Sequence, residues 1–360
     1  MRTQPARVLF LAVLSLSTML RCGTTAALKE PAGVPAAARS CAPGVPIDEQ
    51  LFVPAGGIEQ WVTIRGKDCA NPAVLFLHGG PGNTLTPFAE AIYGGWAEDF
   101  TLVQWDQRAS GKTYGRNPPA EDSVLTVQQM TEDGIAVAEF VAARLGRKQV
   151  ILLGGSWGSV LGVHMIQARP DLFQAYVGVS QLVNKVENQQ ASYSRVLALA
   201  REAGDTTTLA ALEAIGAPPW RNPRHPGVMR RATRVYEAKT TTPAPPSWWV
   251  RSPEYATETM LADYGAGEDF SFLQFVGWKD DGMFSTVDLP KLGFQFAVPV
   301  YLVQGSEDLV TVKEVTERYF ARIDAPRKKL IVVPRAGHDP NEALNEAVYG
   351  VLNECCGEQR

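Results

Sequence analysis

The residues Gly154-Gly155-Ser156-Trp157-Gly158 follow an apolar run, Val150 to Leu153, and precede a helix-like stretch, Ser159 to Ala168. They fit the G-x-S-x-G pattern, in which a serine on a sharp strand-to-helix turn has its hydroxyl lifted above the sheet. Small residues stand where the backbone crowds, and a helix N-terminus lies behind the hydroxyl, where negative charge is favoured. The chemistry this suits is attack of a serine oxygen on a carbonyl carbon. In a chain with 32 glycines the same five residues also fit an ordinary glycine-rich turn, so the reading depends on partners elsewhere.

A serine hydroxyl is a weak nucleophile until a base takes its proton, and the base must itself be oriented by an acid. Of the four histidines, His338 lies in Pro334-Arg335-Ala336-Gly337-His338, directly after the last strand-like run, where a loop can deliver an imidazole to the strand ends. The acid should fall between serine and histidine in the chain. Asp308 closes the turn Gln304-Gly305-Ser306-Glu307-Asp308 just past the run Val298 to Val303, with Glu307 as its neighbouring alternative. Acyl transfer also needs donors for the developing oxyanion. The Trp157 amide supplies one, and Gly80, or failing that Gly79, the other, from His78-Gly79-Gly80-Pro81-Gly82 after Val74 to Leu77.

Other residues receive plainer readings. His164 packs within the helix after Ser156, His78 organises its own loop, and His225 sits among prolines. Gly111-Lys112-Thr113 imitates the end of a phosphate-binding loop, but Asp106 holds the place of the required earlier glycine. No His or Cys cluster has metal-ligand spacing, and neither metal nor cofactor is expected.

These residues need a scaffold that gathers strand ends. Strand-like runs recur at Leu51 to Val53, Gln60 to Arg65, Val74 to Leu77, Thr101 to Trp105, Val150 to Leu153, Tyr176 to Val179, Val298 to Val303 and Leu330 to Val333. Helical patterns separate several of them. One starts at Thr126 with Gln129 three residues on and stops at Gly146. Continuous apolar strands alternating with helices imply an α/β fold, a mostly parallel sheet covered on both faces, with ligands at the carboxyl ends of the strands. The alternation breaks over 182–289, which is helical in pattern and then rich in proline and tryptophan. This segment reads as a helical cap between two halves of the core, 47–181 and 290–353, with a separate second domain as the alternative.

A formal net charge of -4 and 20% charged residues give no global basic surface, so nucleic acid is not expected as a partner. Residues 1–27 read as a secretory signal, with Arg2 and Arg7 before an apolar stretch too short to span a membrane. Thr25-Ala26-Ala27 offers a cleavage site, while Cys22 is the alternative, a lipid-anchor acceptor disfavoured by Arg21. Residues 28–46 read as a flexible tether, and no transmembrane helix is expected in the mature chain. Export permits disulfides. Cys41 and Cys69 flank a hairpin turned at Pro54-Ala55-Gly56-Gly57 and are expected to pair, whereas Cys355 and Cys356 have no assignment.

Taken together, His78-Gly79-Gly80-Pro81-Gly82, Trp105-Asp106-Gln107-Arg108-Ala109-Ser110-Gly111-Lys112-Thr113, Gly154-Gly155-Ser156-Trp157-Gly158-Ser159 and Ala336-Gly337-His338 resemble the α/β-hydrolases, and more narrowly the prolyl aminopeptidase (proline iminopeptidase) family. The resemblance covers roughly Gln50 to Gly350, loosely in the cap. It implies Ser156, Asp308 and His338 as a triad, with Asp106, Gln107 and Arg108 supporting the active-site floor. Ala109 departs from the family's usual glycine. The family binds a substrate's free amine with acidic cap residues, one of them in a W-x-x-W-E pattern, whereas here Trp248-Trp249 is followed by Val250 and Arg251. Glu187, Glu254, Glu258, Glu268 and Asp269 are the candidates to replace that acid. The implied substrate is a short peptide or arylamide with an N-terminal proline or small residue. The alternatives are a small ester or amide, or a non-catalytic binding protein that uses the cleft as a ligand pocket.

Overall fold

The computed structural model describes residues 41–356. The expected signal, Cys22 and the tether up to residue 40 lie outside them. Strands β1 (Ile47–Ala55) and β2 (Ile58–Gly66) pair antiparallel across Gly56-Gly57, whose φ values of 57° and 79° suit a tight two-residue hairpin. The turn is shorter than expected, because Pro54 and Ala55 belong to β1. That strand lies at the sheet edge, where a proline's missing N–H is tolerated. Ile47 stands opposite Gly66, so the hairpin brings its ends together, and Cys41 and Cys69 form a disulfide across 28 residues. By loop-closure entropy, the double substitution Cys41→Ser, Cys69→Ser is expected to lose about 3 to 4 kcal/mol of stability. A urea denaturation midpoint that does not move on substitution would show the bridge to be energetically idle.

The chain continues through β3 (Ala73–Leu77), α1 (Ala89–Tyr93), β4 (Thr101–Trp105), α2 (Gly111–Arg116), α3 (Val127–Arg144), β5 (Val150–Gly155), α4 (Trp157–Ala168) and β6 (Phe173–Val179). Helices α5 (Lys185–Glu202), α6 (Thr206–Ile215), α7 (His225–Thr240) and α8 (Glu258–Val276) intervene before β7 (Val300–Gly305), α9 (Lys313–Arg322), β8 (Lys328–Val333) and α10 (Glu342–Cys356). The eight strands form one sheet in the order β1-β2-β4-β3-β5-β6-β7-β8, parallel from β4 to β8. All eight runs read from the sequence are strands.

Continuous burial of β3 and β5 follows from helices on both faces. Leu75, Leu77, Val150 and Leu152 point to one core with Met130, Val137 and Leu161, while Val74, Phe76, Ile151 and Leu153 alternate into a second with Trp96, Val351 and Leu352. The Thr126 hydroxyl caps α3 by accepting the Gln129 amide at 3.1 Å. Between β6 and β7, helices α5, α6 and α7 share a small core of Tyr193, Val196, Leu212, Trp220 and Tyr236, which also takes in Leu309 from the loop after β7. Helix α8 packs elsewhere, against α2, with the Ser271 hydroxyl donating to Ala109 O at 2.9 Å. Among the described residues no helix is long and apolar enough to cross a membrane.

Candidate active site

From β3 the chain runs to β4 on one side and then crosses to β5 on the other, so a crevice opens between the carboxyl ends of β3 and β5. Ser156 stands there, with φ 52° and ψ -117°, between the last residue of β5 and the first of α4. A non-glycine residue in that region stores on the order of 1 to 3 kcal/mol. The strain is held by packing: a Cβ on Gly158 would lie 2.0 Å from Leu77 O, and one on Gly154 would lie 2.3 Å from Gly158 O. Both glycines of the pattern are therefore required by close approach. The Ser156 amide donates to Val179 O at 3.0 Å, which ties the turn to β6.

Two further loops converge on this hydroxyl. His338 Nε2 lies 3.0 Å from Ser156 Oγ, and His338 Nδ1 lies 3.0 Å from Asp308 Oδ2. Asp308 is buried and accepts from the amides of Val310 and Thr311, each at 2.8 Å, from Thr311 Oγ1 at 2.6 Å and from Gln304 Nε2 at 3.1 Å. Burial opposes the charge on Asp308, but His338 and these donors outweigh it and hold the carboxyl below its ordinary range. Burial likewise opposes the imidazolium, but the charge and hydrogen bond of Asp308 raise His338 above its ordinary value. Glu307 takes a different place, accepting from the Ser306 hydroxyl at 3.0 Å. The arrangement can move a proton from a serine hydroxyl to an imidazole whose other nitrogen faces a carboxylate.

The loop after β3 borders the same hydroxyl. A Cβ on Gly79 would lie 3.4 Å from Ser156 Cβ and 4.0 Å from its Oγ. His78 is buried, and that desolvation lowers its pKa to about 4, so the ring is neutral. Its Nε2 accepts the Gln107 amide at 3.2 Å, which leaves Nδ1–H to donate to Gly79 O at 2.9 Å. Gln107 joins the two walls of the crevice, donating to His78 O at 3.0 Å and accepting from Trp157 Nε1 at 3.0 Å. Asp106 accepts from the hydroxyls of Thr84 and Thr86 and from the Lys112 amide, and so fixes the far end of the same loop. Arg108 pairs with the buried Asp133 through two nitrogens, at 2.7 and 2.9 Å. Ala109 holds φ 59°, the left-handed conformation that explains why glycine is usual at this position of the family.

The acids proposed from sequence divide by position. Glu187 is exposed on α5 and pairs with Arg318 at 3.2 Å; Glu254 and Glu258 are exposed just before α8 and in its first turn. None of the three is brought to the triad loops. Glu268 is half-buried in the middle of α8, where a Cβ on Gly82 of the β3 loop would lie 2.9 Å from its Cα. Burial, with Asp269 adjacent, raises its carboxyl above the ordinary range. The acid that does touch the triad loops is Glu237, which sequence reasoning passed over: its Oε1 accepts the amide of Leu309 at 2.7 Å. Two signals mark it. Met229, Ala232, Thr233, Tyr236 and Glu237 form the buried stripe of α7, an acid on an otherwise inward face. Thr233-Arg234-Val235-Tyr236-Glu237 also carries the acid where W-x-x-W-E would, with threonine and tyrosine in place of the tryptophans.

The family model for the alpha/beta hydrolase fold matches residues 72–342, and the chain belongs to that family of hydrolases. Within it, the relatives are prolyl aminopeptidase-like. The chain is 28% identical to a Bacillus subtilis protein named "Probable aminopeptidase YbaC", over 79% of this chain and 89% of that one. It is also 28% identical to a "Probable proline iminopeptidase" of Streptomyces coelicolor, over 84% and 93%. The solved proline iminopeptidase of Mycobacterium smegmatis shares the fold, with TM-score 0.61 and 19% identity over 87% of this chain and all of that one.

Proposed function

We propose that this chain is an exported serine hydrolase of aminopeptidase type, which releases N-terminal proline or another small residue from short peptides through an acyl-enzyme. The observation that carries the reading is the unbroken chain Ser156 Oγ, His338, Asp308, with 3.0 Å at each step. Ser156 attacks the scissile carbonyl as His338 Nε2 takes its proton, and Asp308 holds the ring in the tautomer that leaves Nε2 free to accept. His338 then hands the proton to the departing amine, and a water activated by the same nitrogen releases the acyl group. Trp157 is the first residue of α4, where the amide has no intrahelical partner, and it faces the oxyanion. The second donor is Gly80. Because His78 holds the carbonyl of the trans Gly79–Gly80 peptide, the Gly80 N–H points away from that bond and is left free for the oxyanion.

Glu268, rather than Glu187, Glu254 or Glu258, anchors the substrate amine, since it reaches the β3 loop from α8. The names of the relatives support this substrate class, and the Cys41–Cys69 disulfide supports an oxidising compartment. The test compares a prolyl arylamide with its N-acetylated form. Blocking the amine is expected to lower kcat/KM about 100-fold, the worth of a charge-assisted bond in a desolvated site. Glu268→Gln is expected to raise KM for the free amine about 10-fold or more and to leave a simple acetyl ester unaffected. Equal turnover of blocked and free substrates would instead make the protein an esterase or amidase without amine recognition.

A further inference from the structure

Glu237 reaches from the helices between β6 and β7 to both loops that carry the candidate base and acid. Its Oε1 accepts the amide of Leu309, the residue after Asp308, at 2.7 Å, and its Oε2 accepts the amide of His338 at 3.5 Å. The second approach depends on Gly337, where a Cβ would lie 3.1 Å from Oε2. Two turns earlier on α7, Arg230 stands 3.8 Å from the same oxygen and gives its other nitrogen to Asp339, the residue after His338. Past the end of α7 the connection continues: the Thr242 amide donates to Arg335 O at 2.8 Å, and Asn341 Nδ2 donates to Thr242 O at 2.9 Å. Leu309 itself is buried in the small core of α5, α6 and α7.

We infer that Glu237 is a positioning residue that holds the Asp308 loop and the His338 loop at one separation, so that α7 sets the geometry of the Ser156–His338–Asp308 chain. This rests on the serine-hydrolase reading and extends it. Both oxygens of Glu237 face main-chain amides of the core. A carboxylate suits the task, because it offers acceptors at both ends, whereas an amide side chain would turn a donor towards one of the two N–H groups. Burial and the neighbouring Asp308 push the Glu237 carboxyl up to about 7, against His338, the Leu309 amide and Arg230, which favour its charge. Acidification below that value protonates the carboxyl and releases a loop. Activity on the acid side therefore requires two groups, His338 and Glu237, to be deprotonated.

The test uses the full protein, a simple acetyl ester without an amine, a prolyl arylamide and a fluorophosphonate that labels an activated serine. Glu237→Gln is expected to slow both ester turnover and fluorophosphonate labelling about 10- to 100-fold, the effect of a small misplacement of catalytic groups, with little change in KM. The acid limb of log kcat/KM against pH for the ester is expected to drop from a slope of about two to about one, which a merely structural role would not produce. A melting transition establishes that the variant is folded; should it be lost, Glu237→Asp, which keeps the charge but withdraws it by one methylene, carries the comparison of ester turnover and labelling rates. If labelling and ester turnover stay at wild-type rates while only KM for the prolyl arylamide rises, Glu237 is an amine ligand and the positioning role is wrong. A wild-type protein that never labels would instead overturn the serine-hydrolase reading itself.

Discussion

Ser156→Ala is expected to abolish turnover of prolyl arylamides and acetyl esters alike, with kcat falling about a million-fold. Only the catalysis owed to the crevice itself, through the Trp157 and Gly80 amides and substrate binding, should remain, on the order of 1000-fold over water. The loss should come without unfolding. Alanine meets the same strain at φ 52° as serine does, and the removed hydroxyl bonds His338 at 3.0 Å at the mouth of the crevice rather than in the core. The melting temperature should therefore stay close to that of the wild type. Ser156→Gly, which adopts positive φ without a Cβ penalty, should melt higher than either and be equally inactive. Esterase and arylamidase rates that survive in the alanine variant would place the nucleophile elsewhere, whatever the geometry around Ser156.

The strength of that expectation comes from residues legible in the sequence for physical reasons. The central strands are buried on both faces, so Val74 to Leu77 and Val150 to Leu153 read as unbroken apolar runs, and each ends at a glycine-bearing turn that must carry function or close packing. Asp308 and His338 were legible because β7 and β8 end just before them and ligands gather at such ends. The hairpin was legible in outline but not in its turn, because Pro54 looks like a turn residue unless β1 is known to be an edge strand. Glu237 was not legible in the same way. Its partners are main-chain amides about 70 and 100 residues downstream, and nothing in local spacing announces a carboxylate that bonds to the backbone of two distant loops. Surface acids such as Glu187 and Glu254 carry the same chemistry in the sequence, and burial is what sets them apart from Glu237 and Glu268 in the fold.

Asp308→Asn should cost about four orders of magnitude in kcat through the tautomer of His338. Asp308 is an acceptor on every side: amides at Oδ1, Thr311 Oγ1 and Gln304 Nε2 at Oδ2, and the His338 Nδ1–H. An asparagine must turn its NH2 towards one of these sets, and a donor then meets a donor. If the NH2 faces His338, the ring bonds it through an unprotonated Nδ1, its proton moves to Nε2, and that nitrogen can no longer accept from Ser156. If the NH2 faces the amides of Val310 and Thr311, the turn loses its acceptors at a cost of about 1 to 3 kcal/mol. The pH response gives the sign of the electrostatics. Because Asp308 holds His338 above its ordinary value of about 6.5, the acid limb of wild-type activity should lie above that pH, and in the asparagine variant the residual activity should titrate lower. Stability should respond in the opposite range. The folded Asp308 carboxyl lies below its unfolded value of about 3.9, so its contribution is complete above that pH and is lost as pH falls through the folded value. Acid denaturation should thus be shallower in Asp308→Asn than in the wild type below pH of about 4, even though the variant is the less stable of the two at neutral pH. Parallel acid curves for the two proteins would mean that folding leaves the carboxyl at its unfolded value, and the orientation of His338 would then need another cause.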